Sequence, residues 1–321
     1  MHDITEPFLL NAEAARKKIE SVRWPNGPVC PHCGETERRY ATKKEGRWRC
    51  GNPPCRKDYT VTTGTVMESS HIPLHKWLMA FYLLSSSKKG ISSHQLMRSL
   101  AVTYKSAWFL SHRVREAMRA GGLAPPMGSD GGVVEMDEVY HGKVETPVRL
   151  SRGRIPKPTK KGRSGPAGKR VIISLVERGG AVRSFHVPNA DKATVTKIVN
   201  ANIAKEARLH TDESRIYDGI EASVASHETV FHGGKEYARG KGDDLVTTNS
   251  VEGFFGIFTR SMVGIYQHCA EKHLHRYLAE YDFRYSHRMR LGYTDMGRAM
   301  LAVKGAEGKR LTYRQPDSAV L

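Results

Sequence analysis

The sequence predicts an α/β protein whose main domain is a mixed sheet with flanking helices, preceded by a small cysteine-rich module and a helical region. Four of the five cysteines fall within residues 30–55, which places a compact, loop-rich module near the amino terminus. Apolar residues at helical spacing follow in residues 72–120, and strand-like runs begin at Val133. Strands that first form a meander and then alternate with helices are typical of a mixed α/β domain.

Changes in composition divide the 321 residues into six segments. We expect, in order, an N-terminal helix, the cysteine-rich module, the helical region, a linker, the α/β domain and a C-terminal tail. A Gly- and Pro-rich run indicates the linker. The expected segments are 1–24, 25–70, 71–120, 121–132, 133–295 and 296–321.

The charge balance is strongly basic, with 51 Lys and Arg against 33 Asp and Glu and a formal net charge of +18. An excess of this size repels itself in a folded chain, so a polyanionic partner is expected. The longest apolar run, residues 77–84, is too short to span a membrane. We therefore expect a cytoplasmic protein that associates with nucleic acid in the nucleoid and has no membrane partner.

The cysteines are spaced as metal ligands. Cys30 and Cys33 form one pair, and Cys50 and Cys55 form a second pair sixteen residues later. Two short-spaced pairs supply the four thiolates of a closed, structural Zn²⁺ site, so residues 25–70 are predicted to be a zinc ribbon. Disulfides or buried free thiols are the alternative, and a reducing compartment disfavours disulfides.

The helical region has the pattern of a helix-turn-helix. Ser92 or Ser93 is expected to cap a helix that ends at Leu100, and Thr103 is expected to cap the next helix. That second helix carries an apolar stripe on one side, with Lys105 and Arg113 on the other side as expected DNA contacts. An ordinary helical bundle is the alternative, since amphipathic helices are common.

Three acidic residues stand at positions suited to a divalent-metal site. Asp137 lies within a strand-like run, Asp212 lies where a later strand ends, and Glu252 lies at the start of a long helical zone over residues 249–290. Such carboxylates can converge on paired Mg²⁺ ions, which activate the attacking oxygen and stabilise the leaving oxygen of a phosphodiester. For Glu252 the alternative is a capping box with Asn249 as the N-cap.

Several short motifs occur in a characteristic order along the chain. They are Cys30-Pro-His-Cys-Gly, Asp58-Tyr-Thr-Val-Thr-Thr-Gly-Thr, Ser87-Lys-Lys-Gly-Ile-Ser-Ser, Val134-Glu-Met-Asp-Glu-Val-Tyr, His210-Thr-Asp and Asn249-Ser-Val-Glu-Gly-Phe. From about residue 25 to 290 the chain resembles bacterial insertion-sequence transposases, which carry a zinc ribbon ahead of an RNase-H-like (ISXO-type) DDE catalytic domain.

The resemblance implies a DNA transposase that hydrolyses a phosphodiester and transfers the freed strand with Mg²⁺ or Mn²⁺. It places the first two acidic residues of the site at Asp137 and Asp212. The third falls at Glu252, with Asn249 as the alternative. It also implies double-stranded DNA, both transposon ends and target, as the partner, bound by a homo-oligomer.

A basic segment follows the first catalytic strand, where nine of residues 149–170 are Lys or Arg and none is acidic. Polybasic segments bind phosphates without prior order, so this segment is an expected DNA contact, although a solvated loop is the alternative. Its expected DNA-binding residues are Arg152, Arg154, Lys157, Lys160, Lys161 and Arg163. Two rivals to a transposase are a non-catalytic zinc and helix-turn-helix DNA-binding protein, either a repressor or an inactivated transposase, and an RNase-H-like structure-specific nuclease.

Overall fold

A computed structural model describes residues 4–121, 124–145 and 168–312. The chain forms two compact units. The described residues up to Ala120, together with those from Arg288 onward, form the first unit, and Gly121–His287 form the second. The second unit is therefore inserted into the sequence of the first.

The first unit opens with two helices, α1 (Pro7–Leu10) and α2 (Ala12–Arg23). The Asn11 side chain accepts hydrogen bonds from the first N–H groups of α2, which starts this helix. A three-stranded antiparallel sheet follows, in the order β1-β2-β3. Its strands are β1 (Arg39–Ala41), β2 (Arg47–Cys50) and β3 (Asp58–Thr60).

The helical region contains α3 (Leu74–Ser86), α4 (Ser93–Leu100) and α5 (Tyr104–Met118). The predicted caps are present: the Ser92 hydroxyl accepts from the Gln95 N–H at 3.1 Å, and the Thr103 hydroxyl accepts from the Ser106 N–H at 3.2 Å. Ala101 turns the chain between α4 and α5 with a left-handed φ of 47°. The helix-turn-helix arrangement predicted from the sequence is thus found.

The C-terminal residues return to this first unit. Residues 296–321 were expected to form a tail, but α9 (Asp295–Lys304) is a helix that packs against α3 and α2. Residues beyond α9 bond to the ribbon, where Val66 N–H donates to Ala306 O and Gly308 N–H donates to Gly64 O. The expectation of a tail failed because the partners of this segment lie far away in the sequence, in the amino-terminal third of the chain.

The second unit is built on a five-stranded mixed sheet with the order β6-β5-β4-β7-β8. The first three strands form an antiparallel meander, whereas β7 runs parallel to β4 and β8 runs parallel to β7. This confirms the predicted mixed sheet. The strands are β4 (Val133–His141), β5 (Arg170–Glu177), β6 (Val182–Val187), β7 (Arg208–Asp212) and β8 (Ser226–Val230). A separate two-stranded antiparallel sheet pairs β9 (Ala238–Arg239) with β10 (Val246–Thr247).

Helices cover both faces of the five-stranded sheet. On one face, Val134 and Met136 of β4 lie in a core cluster with α6 (Lys192–Asn202). On the other face, Ile172 and Val176 of β5 pack with α7 (Asn249–Ser261) and α8 (Leu274–Ser286). The alternation of side chains along each strand separates these two clusters.

The long helix predicted over residues 249–290 is broken. A π-helical turn, Met262–Tyr266, ends α7, and Gln267 adopts a positive φ of 58° before α8 begins at Leu274. Apolar residues continue at helical spacing through the break, so the sequence pattern does not reveal it. Short 3₁₀ segments lie at Ser129–Gly131, Arg215–Tyr217, Ile220–Ser223, His232–Gly234, Gly242–Asp244, Glu271–His273 and Met289–Leu291.

Among the helices of the described ranges, none combines the length and the apolar character that a membrane crossing requires.

Candidate functional site

The four cysteines of the ribbon meet at one point. Their sulfur atoms all lie within 4.8 Å of one another, with Cys30 Sγ 3.8 Å from Cys55 Sγ and Cys33 Sγ 3.5 Å from Cys50 Sγ. Tetrahedral Zn–S bonds of about 2.3 Å separate sulfur atoms by about 3.8 Å, so this donor set fits Zn²⁺. The backbone N–H of Glu35 lowers the pKa of the Cys33 thiol to about 7, whereas burial raises the pKa values of the Cys30 and Cys50 thiols. A bound cation would favour the thiolate form of all four.

A turn of backbone hydrogen bonds shapes the first cysteine pair. The Gly34 N–H donates to Cys30 O, and the Cys30 N–H donates to Glu35 O, each at 2.9 Å. Gly34 has a positive φ of 78°, which glycine adopts without strain. The predicted zinc site is therefore present with its four predicted ligands and the local turn that brings the first two together.

The structure places Asp137 and Asp212 on adjacent strands at the same level. The parallel pairing of β4 with β7 extends to Glu135 opposite His210, and Asp137 and Asp212 each lie two residues further along their strands. The charge of Asp212 is close enough to raise the pKa of Asp137. Both side chains project to the face covered by α7 and α8, since side chains alternate between faces. The two predicted aspartates are thus brought together by strand register.

Burial and neighbouring negative charges shift the ionisation of these aspartates. Burial, and then the charges of Glu138, Asp212 and Glu252, raise the pKa of Asp137 to about 8. Burial and the charges of Glu213 and Glu252 raise the pKa of Asp212, which the Ser214 N–H bond partly opposes. Carboxylates that raise one another's pKa form a site that a cation would stabilise.

A fourth carboxylate, Glu138, lies within electrostatic reach of Asp137 and Asp212. Tyr217 donates its hydroxyl to Glu138 Oε2 at 2.7 Å. Burial, followed by the charge of Asp212, raises the pKa of Glu138. The sequence contained this residue next to Asp137 but offered nothing to separate it from the other acidic residues nearby.

Glu252 lies in the first turn of α7 and keeps an exposed side chain. The Thr248 hydroxyl donates to Glu252 Oε1 at 3.1 Å, and His232 Nε2 lies 3.4 Å from the same oxygen. Asn249 is the first residue of α7 and Thr248 occupies the N-cap position, so the capping box with Asn249 as N-cap is not formed. Asn249 is also exposed, and its N–H donates to Thr247 Oγ1 at 3.2 Å.

The carboxylates form a looser group than the cysteines. Within the described residues, the cysteines form the one group of three or more potential ligands within 4.8 Å of one another. Glu252 is nevertheless close enough to Asp137 and Asp212 for its charge to raise the pKa of each aspartate. Carboxylate oxygens are hard donors of the kind that Mg²⁺ and Mn²⁺ prefer.

The predicted DNA-binding residues of α5 have different environments. Lys105 is exposed in the first turn of the helix. Arg113 is buried: it donates to Leu311 O at 3.2 Å and to Glu68 O at 2.7 Å, and its guanidinium lies over the rings of Trp77 and Phe109. Arg113 therefore holds the first unit together instead of facing DNA, which corrects the prediction for this residue.

The six predicted DNA-binding residues of the basic segment lie outside the described residues. They are Arg152, Arg154, Lys157, Lys160, Lys161 and Arg163.

One face of the ribbon presents a basic groove. Strand register places Tyr40, Arg49 and Asp58 in a row across the three strands, and Tyr40 is 62% exposed. Arg49 and Arg47 both pair with Asp58, at 2.7 and 3.3 Å. The groove has a volume of about 570 Å³, and its lining also contains Ala41, Thr42, Lys43 and Lys44.

Together these features define a two-unit protein in which a four-cysteine zinc ribbon with a helix-turn-helix carries an inserted mixed α/β unit with clustered carboxylates. A family model described as a transposase zinc-ribbon domain matches residues 10–58, and one described as an ISXO2-like transposase domain matches residues 130–286. An uncharacterized protein in transposable element ISH50 of Halobacterium salinarum is 32% identical over 238 residues, which are 70% of this chain and 76% of that protein. The chain belongs to the IS1595 transposase family.

A solved structure also aligns with the chain. It is a simian T-cell lymphotropic virus intasome in complex with PP2A regulatory subunit B56 gamma, with 12% sequence identity and a TM-score of 0.29. The alignment covers 58% of this chain and 63% of the other, so the chain spans less than two thirds of its length. Similarity at this level supports no inference about function.

Proposed function

We propose that this chain is a DDE transposase that hydrolyses a phosphodiester at each end of an insertion sequence and joins the freed strand to target DNA. The observation that carries the proposal is the position of Asp137 and Asp212, side by side on two parallel strands and under the charge of Glu252 on α7. The same sheet order and flanking helices support an RNase-H-like identity for the inserted unit.

Asp137, Asp212 and Glu252 would hold Mg²⁺ or Mn²⁺, with Asn249 as the alternative third ligand. The bound metal would activate the attacking oxygen and stabilise the leaving oxygen. The chain's own residues orient these ligands: the Ser214 N–H donates to Asp212 Oδ1 at 3.0 Å, and the Glu138 N–H donates to Asp137 Oδ1 at 2.7 Å. The Thr248 hydroxyl donates to Glu252 Oε1, and His232 Nε2 lies 3.4 Å from the same oxygen.

The reaction needs no covalent bond to the protein. In the first step the oxygen of water bonds to phosphorus, and the 3′ oxygen leaves and takes up a proton. In the second step the oxygen of that 3′ hydroxyl bonds to a target phosphorus and gives up its proton, and the target's own 3′ oxygen leaves and takes up a proton. One set of ligands serves both steps, because both are displacements at phosphorus that need placement and charge neutralisation.

DNA binding is proposed to use the basic surfaces of the first unit together with the basic segment of residues 149–169, because Arg170 is buried at the start of β5. The ribbon groove offers Lys43, Lys44, Arg47 and Arg49 to phosphates, and α5 offers Lys105 at its exposed start. Binding of both transposon ends by a homo-oligomer, in the cytoplasm and on the nucleoid, follows from the same proposal.

Asp137→Ala tests the catalytic proposal, with Asp191→Ala as the matched control. Asp191 is an exposed carboxylate that caps α6 and accepts from Thr194 N–H at 2.9 Å. Purified protein is incubated with labelled transposon ends, target plasmid and Mg²⁺ or Mn²⁺, and joined products are resolved on a gel. Joining should be lost in Asp137→Ala and kept in Asp191→Ala, while both variants bind the labelled ends.

The same gel separates the two rivals. Binding by the wild type with no cleavage in either metal would identify a non-catalytic DNA-binding protein. Cleavage of branched or hybrid substrates without a joined product would identify a structure-specific nuclease.

A further inference from the structure

A buried carboxylate that plays no part in the proposed ligand set lies two residues before Asp137. Glu135 points to the same face of β4 as Asp137 and is 0% exposed. An ionised carboxylate at such depth is costly unless charges and hydrogen bonds compensate it. The hydrogen-bond partners of Glu135 therefore indicate the structural role of this buried carboxylate.

Most of these partners lie at the start of α7. Glu135 Oε2 accepts from the backbone N–H groups of Ser250 and Val251, at 2.7 and 3.2 Å, and Oε1 accepts from the Ser250 hydroxyl at 3.0 Å. The first N–H groups of a helix have no acceptor within the helix. Thr248, in the N-cap position, makes no side-chain cap hydrogen bond. A strand residue thus caps α7.

Arg178 ties the same carboxylate to the segment that leads into α7. Its Nη2 donates to Glu135 Oε1 at 3.0 Å, and its Nη1 donates to Leu245 O at 2.8 Å. Nη2 also lies 3.4 Å from His210 Nδ1.

Glu252 follows directly after the capped residues. Its backbone position is set once the N–H groups of Ser250 and Val251 are bound to Glu135. Each residue of an α-helix turns the chain by about 100°, so a slip of one residue at this cap would swing the Glu252 side chain to another side of the helix. The cap therefore determines whether the third carboxylate faces the pair on the sheet.

We propose that Glu135 is a positioning residue that docks the first turn of α7 on β4 and so holds Glu252 beside Asp137 and Asp212. The inference rests on the proposed function for the role of Glu252, but the docking itself concerns only the folded chain. The two parts can therefore be tested separately.

Hydrogen exchange tests the docking. In Glu135→Gln the Ser250 and Val251 amides should exchange at least tenfold faster, because the new amide group carries two donors and a weaker acceptor, while the Thr194 amide is unchanged. In Asp191→Ala the Thr194 amide should exchange faster, while the Ser250 and Val251 amides are unchanged. If the Ser250 and Val251 amides keep their wild-type rates in Glu135→Gln, the docking proposal is overturned. Ser250→Ala, which removes only the hydroxyl donor, should give a smaller acceleration and serves if Glu135→Gln does not fold.

Binding of Mn²⁺ alone, measured by calorimetry, tests the positioning. We expect Glu135→Gln to weaken Mn²⁺ binding about tenfold, within the range seen when groups that orient metal ligands are removed. In a Glu252→Gln background the same substitution should change affinity less than twofold, because the residue it positions is already gone. Equal weakening in both backgrounds would refute positioning through Glu252. If the wild type binds no Mn²⁺ outside the cysteine site, both the proposed function and the positioning of Glu252 as a metal ligand fail. The hydrogen-exchange result still decides whether Glu135 docks the first turn of α7.

Discussion

The Thr248 hydroxyl donates to Glu252 Oε1 at 3.1 Å, so the residue in the N-cap position of α7 holds a carboxylate instead of capping its own helix. This contact favours Glu252 over Asn249 as the third ligand, because it orients the carboxylate oxygen. A side chain held in place before a metal arrives loses less conformational freedom on binding it.

The third position can be identified by comparing Glu252→Gln with Asn249→Ala. We expect Glu252→Gln to reduce Mg²⁺-dependent cleavage on the order of 100-fold or more, since even groups that only support a ligand contribute about 10–100-fold. Asn249→Ala should reduce cleavage less than threefold. Initial rates on labelled ends measure both, and the reverse ranking would make Asn249 the ligand.

The raised pKa of Asp137 predicts a pH-dependent stability in protein without added divalent cations. Its pKa is raised from 3.8 to about 8, so the folded state holds the proton more tightly than the unfolded state. The resulting stabilisation is complete below about pH 4 and is lost as pH rises through about 8. Asp137→Asn should therefore be the more stable protein at pH 8, on the order of 2–4 kcal/mol.

Urea unfolding at pH 5, 6.5 and 8 measures this effect as a difference between wild type and Asp137→Asn. The difference should grow with pH, and Mg²⁺ should shrink it, because the metal stabilises only the carboxylate. Asp191→Asn is the control with the opposite pH dependence. The Thr194 N–H lowers the pKa of Asp191, so the contribution of Asp191 to stability is lost only as pH falls. A constant difference between wild type and Asp137→Asn across this range would disprove the linkage.

Zinc content should depend on the four ribbon cysteines and not on the fifth. Cys50→Ser should lose zinc and unfold the ribbon, since structural zinc sites contribute about 10–16 kcal/mol to small modules. Cys269 lies in the second unit, buried, and its thiol donates to Ala270 O at 3.3 Å. Cys269→Ser should therefore keep one zinc per chain. Elemental analysis together with a thermal melt distinguishes the two variants.

Lys105 and Arg113 should differ in what their loss affects. Lys105→Ala should weaken DNA binding and lower the slope of log affinity against log salt by about 1, if the lysine contacts one phosphate. Arg113→Ala should leave that slope unchanged and instead destabilise the fold by about 2–4 kcal/mol, because two buried carbonyls lose a charged donor. Filter binding at several salt concentrations, with melts of both variants, tests the pair.

Removal of the C-terminal helix should destabilise the ribbon and helix-turn-helix unit. The Gly308 N–H donates to Gly64 O of the ribbon at 2.9 Å, and Lys309 Nζ donates to Ala117 O of α5 at 2.9 Å, so residues after α9 bond both parts of that unit. A chain ending at residue 294 should melt earlier and release zinc more readily to a chelator. Unchanged zinc retention would show that the ribbon folds without these contacts.

Local chemistry made much of this protein predictable. Cysteine spacing identified the zinc ligands, and the hydroxyls of Ser92 and Thr103 marked two helix starts, because caps depend on residues within one turn. A strand-like run containing carboxylates indicated Asp137, and the end of a later strand indicated Asp212; the parallel pairing of these two strands then placed both residues in one region of the sheet.

Long-range contacts account for what the sequence did not reveal. Arg113 has the spacing of an outward-facing residue, but its acceptors come from Glu68 and Leu311. In the sequence Glu135 is one more acidic residue close to Asp137, and only the fold shows that it caps α7. The helix break at Gln267 likewise leaves no trace in the spacing of apolar residues.

The insertion of the α/β unit within the first unit also sets an order for folding during translation. Domains generally fold as units while the chain emerges from the ribosome. Every residue of the inserted unit is released before α9, whereas the ribbon and the helix-turn-helix, made first, receive their closing contacts last. We therefore expect a released chain that ends at residue 294 to carry a protease-resistant α/β unit beside an amino-terminal unit that is still open to digestion.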